Sequence, residues 1–380
     1  MYCPHFSAGR CRSCSLLDQL PDDVLEQKFQ RLCALFPDAV QVDDFPPAAM
    51  PFGSRIRARL AVSGATDAPV IGFYGSHRRL IPVADCPLHH PAINDFAAAL
   101  PDLILQHQLT PYDAESDQGE LKFVVLTYSP SHHQLMVQWV LRSREAVDRI
   151  RSLYRRRAEA MSVTVMSVNL QPVRTSIIQG PDEILISEQA ALPVNFCDRT
   201  LWYGPQSFIQ TCYPVAQQLY RDVRSVVRER CAEAVLELYC GVGTFLITSA
   251  TDSAEGIGLE LTKASVELAE RSSKDNHLPG LRFQQHDSSR PFSNEIARRP
   301  WNLVICNPPR RGLDAEAVRL LNLLHPRTLV YSSCNPETLR RDVDLLPGYQ
   351  LTRLRPFDMF PMTDHTEVLA VLERTAATTG

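Results

Sequence analysis

The sequence predicts an α/β protein whose C-terminal half is a doubly wound parallel sheet, preceded by a mixed α/β accessory domain. Three observations carry this expectation: strand-like runs alternate with helical runs from Cys212 onward, a glycine turn follows the first of those strands, and alternating apolar residues fill the first half. Parallel strands are expected at AVLELYC, AEGIGLEL, LRFQQHD, WNLVICN and TLVYSSC. QLTRLRPFDMF and TEVLAVLER are expected to form an antiparallel hairpin at the sheet edge. In the first half RIRARLAV, VIGFYG, LKFVVLTY and QLMVQWVL alternate as antiparallel strands do, with helices near Val24 to Phe36 and Pro91 to Leu100. DDFPPAAMPFGSR is punctuated by prolines and reads as a linker. The expected divisions are 1–90, a Cys-rich segment and the start of the accessory domain; 91–195, its remainder; and 196–380, the C-terminal domain.

A chain of 380 residues is long enough for two packed cores. No window reaches the 18 apolar residues of a membrane span, and the first residues, MYCPHFSAGRCRSC, hold no apolar signal core, so a cytoplasmic protein without a membrane partner is expected. The eleven cysteines are odd in number, in a chain too large to need disulfide staples; reduced thiols for metal or catalytic chemistry follow. A net charge of −4 excludes a protein that coats nucleic acid with a uniform positive field, leaving RNA contact to a local patch. Of the 39 basic residues 35 are Arg, which fork onto phosphate and stack on bases, although genomic base composition also favours Arg.

The first parallel strand runs into Cys240-Gly241-Val242-Gly243-Thr244-Phe245, a strand-to-helix turn that lets backbone approach a ligand. A dinucleotide fingerprint would need a third glycine, which is missing. Nineteen residues after Gly241 comes Glu260, placed to accept hydrogen bonds from ribose hydroxyls, and Asp287 closes the third strand within reach of an adenine. Without a Lys or further donors for a pyrophosphate, the turn suits S-adenosylmethionine better than a phosphorylated cofactor. The fourth strand ends in Asn307-Pro308-Pro309-Arg310-Arg311-Gly312, and the fifth delivers Tyr331-Ser332-Ser333-Cys334-Asn335-Pro336 to the same carboxyl edge. A thiolate there can add to C6 of a uracil and make C5 carbanionic enough to take a methyl group. The C5 proton then needs a base, for which Glu367 is the first candidate and His365 the second. Cys334 needs a nearby positive group to ionise, and Arg310 can provide it. Cys240 and Cys306 read as inert buried thiols.

NPPRRG, a spacer of 16 residues, LVYSSCNPET and FDMFPMTDHTE, together with SFIQT and LYCGVGTF, span residues 206–374. In these motifs the chain resembles the RNA uracil-C5 methyltransferases. The resemblance implies a Rossmann-like class I methyltransferase fold, Cys334 as nucleophile and Glu367 as proton acceptor. It also implies that Gln210, Tyr239, Glu260 and Asn307 line the S-adenosylmethionine pocket and that Phe208 stacks near a flipped base. Departures from the family pattern are Glu237 and Asn307, where Asp is usual, Cys212, where Asn is usual, and Met362 and Thr366; none removes a catalytic group.

Cys3, Cys11 and Cys14 are spaced C-x7-C-x2-C, with Cys86 a fourth thiol; the spacing suits zinc or an iron-sulfur cluster. The resemblance implies a [4Fe-4S] cluster, because members that act on 23S ribosomal RNA carry one with a similar arrangement and transfer-RNA members lack it. With its first cysteine at position 3, the chain resembles the ribosomal type without an extra N-terminal barrel, and 23S ribosomal RNA is the expected partner of a monomeric enzyme. His89 and His90 read as surface or packing residues. Arg55, Arg57 and Arg59 would share one strand face, and Arg151, Arg155, Arg156 and Arg157 gather on a helix; either set suits phosphates, the alternative for the second being a solvated charged face. The rival functions are transfer-RNA methylation and a non-catalytic RNA-binding role.

Overall fold

The structure is a computed structural model that describes residues 2–46, 52–75, 80–251 and 254–375. It divides into two compact units: 1–15, 50–194 and 203–213 form the first, and 16–49, 195–202 and 214–380 the second. The division differs from the expected boundaries. Residues 16–49 belong with the C-terminal sheet, and the change near 195 falls inside a small hairpin, Leu192–Phe196 with Arg199–Tyr203. Part of the predicted linker, 47–51, lies outside the described residues.

The first unit is built on a seven-stranded mixed sheet. Its spatial order is Leu80–Pro82, Ala68–Tyr74, Arg57–Ala65, Leu121–Ser129, Gln134–Leu141, Val163–Leu170 and Asp182–Leu185. All pairings are antiparallel except that of Gln134–Leu141 with Val163–Leu170, which helix Val147–Arg157 joins as a crossover. The last two strands were not anticipated, although VTVMSVNL carries the β-branched residues that favour a strand. Helix Pro91–Gln106 buries Ile93, Phe96, Ala97, Leu100 and Ile104, one apolar stripe at helical spacing, and continues through Pro101 beyond its predicted end. Trp139 is fully buried in the same core.

The second unit holds the doubly wound sheet, in the order Leu281–Gln285, Glu255–Glu260, Ala234–Leu238, Leu303–Cys306, Thr328–Ser333, Glu367–Arg374 and Tyr349–Phe357. The first five strands are parallel, as predicted. The expected hairpin is present, but its second strand sits inside the sheet: Glu367–Arg374 pairs antiparallel with both Thr328–Ser333 and the edge strand Tyr349–Phe357. Chain order reverses between Ala234–Leu238 and Leu303–Cys306, the switch point at which sheets of this class open a ligand crevice. Helix Pro21–Leu35 contributes Leu32 to this core, followed by Phe36. Among the described residues no helix is long and apolar enough to cross a membrane.

Truncating Trp139 to alanine would remove the largest fully buried side chain of the first unit. The expected cost is about 3–5 kcal/mol, read as a lower midpoint in urea unfolding; an unchanged midpoint would contradict the core described above.

Candidate active site

The glycine turn after strand Ala234–Leu238 has the backbone that its sequence demands. Gly241 and Gly243 lie at φ +56° and +76°, and a Cβ on Gly243 would stand 2.5 Å from the Phe283 ring. Tyr239, at φ +59°, is held in the same left-handed region by its side chain. Its hydroxyl donates to Asp314 Oδ2 at 3.2 Å and accepts from the Asp314 amide at 3.1 Å. Burial pushes the phenol up to about 12, so it remains a neutral hydrogen-bonding group.

Glu260 ends its strand with Oε2 accepting from the Gly241 amide at 3.1 Å and Oε1 from the Thr262 amide at 2.9 Å. Each oxygen keeps a further lone pair, the acceptor pair that a ribose diol requires. Asn307 follows strand Leu303–Cys306 half-buried, its amide making no hydrogen bond among the described residues. Within this unit the acceptor carboxylate, the uncommitted amide and the glycine turn therefore fit a nucleoside. Asp287 is engaged in its own turn, accepting from the Ser289 hydroxyl at 2.6 Å. Gln210 lies buried on segment 203–213 of the first unit, and Phe208 on that segment is 63% exposed.

Glu237 supports the turn from beneath. It is fully buried, and its Oε2 accepts from the Leu246 amide at 2.9 Å in the helix that follows the glycines. Burial raises its carboxyl to about 8, so it is largely protonated at neutral pH. Cys240 and Cys306 are buried, and burial raises both thiols far beyond useful ionisation, consistent with the inert role expected of them.

Cys334 follows strand Thr328–Ser333 and precedes helix Pro336–Asp344, whose N-cap Asn335 accepts from the Glu337 amide at 3.2 Å. The thiol opens into a cavity of about 370 Å³, together with Arg310, Pro336 and His365. The opposite wall is helix Pro21–Leu35, through Lys28, Arg31 and Leu35, which sequence reasoning had placed in the other domain. Lys28 is buried, with its ammonium donating to Asp358 at 2.6 Å and to the Phe360 carbonyl at 3.1 Å.

Glu367 is 1% exposed at the start of its strand, and the Ser332 hydroxyl donates to its Oε1 at 2.6 Å. Burial raises the carboxyl to about 7, and the Ser332 bond opposes the rise. Burial, and then the Glu367 charge, raise the Cys334 thiol, while Arg310 lowers it by charge and hydrogen bond. The two titrations have an order: Glu367 ionises first, so its charge burdens the thiolate, whereas the thiol is still neutral when Glu367 loses its proton. His365 is exposed and stacked edge-on to Phe360 at 5.9 Å, without the burial that tunes Glu367. Sequence reasoning missed Ser332, whose signal was its place two residues before the thiol on a strand paired with that of Glu367.

In the first unit Cys3, Cys11, Cys14 and Cys86 are half-buried free thiols. Burial and the charges of Cys86, Cys11 and Cys3 raise Cys14 to about 11, and Arg55 opposes them, so the four cysteines share one neighbourhood. The N-terminal segment is tied there by a 2.7 Å contact between His5 and Asp85. Among the described residues no three His, Cys, Asp or Glu side chains are arranged to hold a metal ion. The donor types fit a thiophilic centre, which would supply the positive charge these thiols need to ionise. His89 is buried against Phe73, and His90 caps helix Pro91–Gln106, as packing residues do.

The expected arginine face does not form. Arg55 is half-buried and Arg59 exposed, but Arg57 is buried and donates to the Ser207 carbonyl and, at 3.1 Å, to the Pro205 carbonyl. Alternation put Arg57 on the strand face that the 203–213 segment covers. Arg151, Arg155, Arg156 and Arg157 are exposed, with Arg151 paired to Asp148 at 2.9 Å.

The family model described as tRNA (Uracil-5-)-methyltransferase matches residues 182–375. The chain belongs to this family of RNA uracil-C5 methyltransferases. It is 38% identical over 376 residues, 98% of this chain and 99% of the other, to the 23S rRNA (uracil(747)-C(5))-methyltransferase RlmC of Escherichia coli O157:H7 (strain EC4115 / EHEC). It is 35% identical over 379 residues to the protein of the same name from Shewanella amazonensis, covering 99% of each chain. The crystal structure of Pyrococcus abyssi tRNA (uracil-54, C5)-methyltransferase in complex with S-adenosyl-L-homocysteine superposes with a TM-score of 0.80 at 26% identity, covering 95% of this chain and 85% of that one. As a member of the family, the chain is an S-adenosylmethionine-dependent RNA methyltransferase with the class I α/β fold.

A buried carboxyl raised to about 7 sets a pH dependence. The folded state holds the Glu367 proton more tightly than the unfolded chain does, so its stabilising share is complete below about pH 4.5 and is lost by about pH 7. Glu367→Gln should remove this decline, gaining about a few kcal/mol relative to wild type between acid and neutral pH in urea titrations. A decline of equal steepness in the variant would contradict the burial of that proton.

Proposed function

We propose that this enzyme methylates C5 of a uridine in 23S ribosomal RNA, the uridine at position 747 being the target by the names of its relatives. The observation that carries the chemistry is the buried Glu367 next to the Cys334 thiol at one end of the sheet, beside a cavity. Ribosomal RNA is favoured by the 38% identity along nearly the whole of both chains and by the gathered cysteines. Transfer RNA, the substrate named for the Pyrococcus enzyme, is the second reading at the lower identity of 26%. A non-catalytic role has no support from a carboxyl poised near neutrality beside a thiol.

Cys334 loses its proton to solvent with Arg310 stabilising the thiolate, and the thiolate adds to C6 of the uracil; the C5=C6 pair moves onto C5 and O4 as an enolate. Glu260, Asn307 and Tyr239 would hold S-adenosylmethionine, which when bound would supply the electrophilic methyl group for C5. Glu367, with one oxygen fixed by Ser332, then takes the C5 proton on the other, and the returning pair expels Cys334 and restores the double bond. A uridine in a loop suits the site, because extruding a base from a stem costs about a few kcal/mol. Cys3, Cys11, Cys14 and Cys86 would hold a [4Fe-4S] cluster that fixes the N-terminal segment and takes no part in methyl transfer. The enzyme acts as a cytoplasmic monomer in this reading.

Incubation with 5-fluorouridine-substituted ribosomal RNA and S-adenosylmethionine should trap an adduct that peptide mass spectrometry maps to Cys334, since fluorine at C5 cannot leave as a cation. Cys334→Ser should give no adduct and no measurable turnover; a serine variant with intact turnover would end the covalent mechanism. Protein purified without oxygen should show the visible absorption of an iron-sulfur cluster, and Cys86→Ser should lose it. A colourless wild-type protein loaded with zinc would refute the cluster.

A further inference from the structure

Helix Tyr213–Glu229 carries an arginine stripe that the methyl-transfer chemistry does not use. Arg221, Arg224 and Arg228 face a cavity of about 480 Å³ in the second unit, and the turn Cys197-Asp198 forms its other side. The middle arginine is committed to structure. Its Nε donates to the Thr248 carbonyl at 2.6 Å and its Nη2 to the Cys197 carbonyl, which pins a two-residue hairpin turn whose residues both lie at positive φ, 49° and 65°. Asp198 approaches Arg224 only at 3.8 Å, with a side chain 99% exposed.

The outer two arginines are different. Neither the Arg221 nor the Arg228 guanidinium has a hydrogen bond or ion pair among the described residues. Four other arginines of this chain meet an acid three or four residues away: Arg149 with Glu145, Arg151 with Asp148, Arg319 with Glu316 and Arg340 with Asp344. At those spacings Arg221 meets Gln217, Gln218, Arg224 and Ser225, and Arg228 meets Arg224, Ser225, Cys231 and Ala232. Three guanidinium groups and one solvated carboxylate leave the cavity strongly positive in a protein of net charge −4.

We propose that this cavity binds successive phosphodiester groups of an RNA strand, as a second contact of the substrate that the functional reading above assigns. Seven residues of helix separate the two uncommitted arginines by about 10 Å along the axis. That spacing lets each guanidinium take a different phosphate of one strand, in the bidentate manner arginine favours. Arg224 reaches the far end of helix Thr244–Ser249, which leads away from the carboxyl edge bearing Cys334. The contact therefore acts on RNA affinity and not on the chemical step.

The test compares the full-length enzyme with the double variants Arg221→Ala/Arg228→Ala and Arg221→Lys/Arg228→Lys, using transcribed 23S ribosomal RNA. The alanine variant should bind several-fold more weakly at low salt, and its slope of log Kd against log[KCl] should be shallower by between one and two, at about 0.7–0.9 per phosphate. Turnover at saturating RNA should equal that of wild type, and the lysine variant should keep the wild-type slope. An unchanged slope in the alanine variant, or an equal loss in the lysine variant, would overturn the inference while leaving the methyltransferase assignment intact. A wild-type enzyme that neither binds nor methylates this RNA would overturn both.

Discussion

The antiparallel pairing of strand Glu367–Arg374 with strand Thr328–Ser333 is the constraint on which the active site depends. Its register sets Ser333 opposite Val368 and Ser332 opposite Leu369, so the first residue of one strand meets the last residues of the other. The thiol that follows Ser333 and the carboxylate that precedes Val368 thereby reach the same sheet edge, though 33 positions apart in the chain. A parallel insertion would have carried Glu367 to the opposite end of a six-residue strand, about 20 Å away. The reversed hairpin added to an otherwise parallel sheet is thus what brings the Cys334 thiol and the Glu367 carboxyl together.

Burial then supplies the chemistry. Taking Glu367 out of water brings its ionisation to about 7, where it can both hold and accept a proton, and the Ser332 hydroxyl limits the rise. The same loss of solvent penalises the Cys334 thiolate, and Glu367 adds to the penalty once ionised. Arg310, which follows the Asn-Pro-Pro turn, is the counterweight: its charge and hydrogen bond lower the thiol that burial raises.

Much of this architecture was legible because its signals are local. Alternating strands and helices, the glycine turn and the placement of Cys334 and Glu367 at strand ends can each be read within a short window. What was not legible depends on distant parts of the chain. Helix Pro21–Leu35 shows an apolar stripe, but nothing in the stripe says which sheet it will cover; it packs Leu32 into the C-terminal core and walls the catalytic cavity. Arg57 alternates in step with Arg55 and Arg59, and only the segment at 203–213 decides that it is buried. The strand Val163–Leu170 had a local signal and was passed over. The neighbourhood shared by Cys14 and Cys86 joins residues 72 positions apart, which spacing alone could suggest but not bring together.

The loop that carries Arg310 shows how far such long-range anchoring extends. Asp342 is fully buried on the helix after Cys334, a rare place for a carboxylate without partners. It accepts from the Tyr331 hydroxyl at 2.6 Å and the Leu313 amide at 2.7 Å, and Arg341 donates to its other oxygen at 2.6 Å. Gly312 lies at φ +84°, where an added Cβ would stand 2.4 Å from Asp342 Oδ2. Arg341 Nη2 would stand equally close, at 2.4 Å, so the ion pair that fixes the loop occupies the space a side chain would take, at a φ that itself favours glycine in the NPPRRG motif. The Arg310 carbonyl is fixed from the same helix, by the Asn335 amide at 3.3 Å and the Thr338 hydroxyl at 3.2 Å. The loop that bears Arg310 is thus held by helix Pro336–Asp344, which begins two residues after Cys334, so Gly312 and Asp342 set the position of the guanidinium beside the thiol without touching either group.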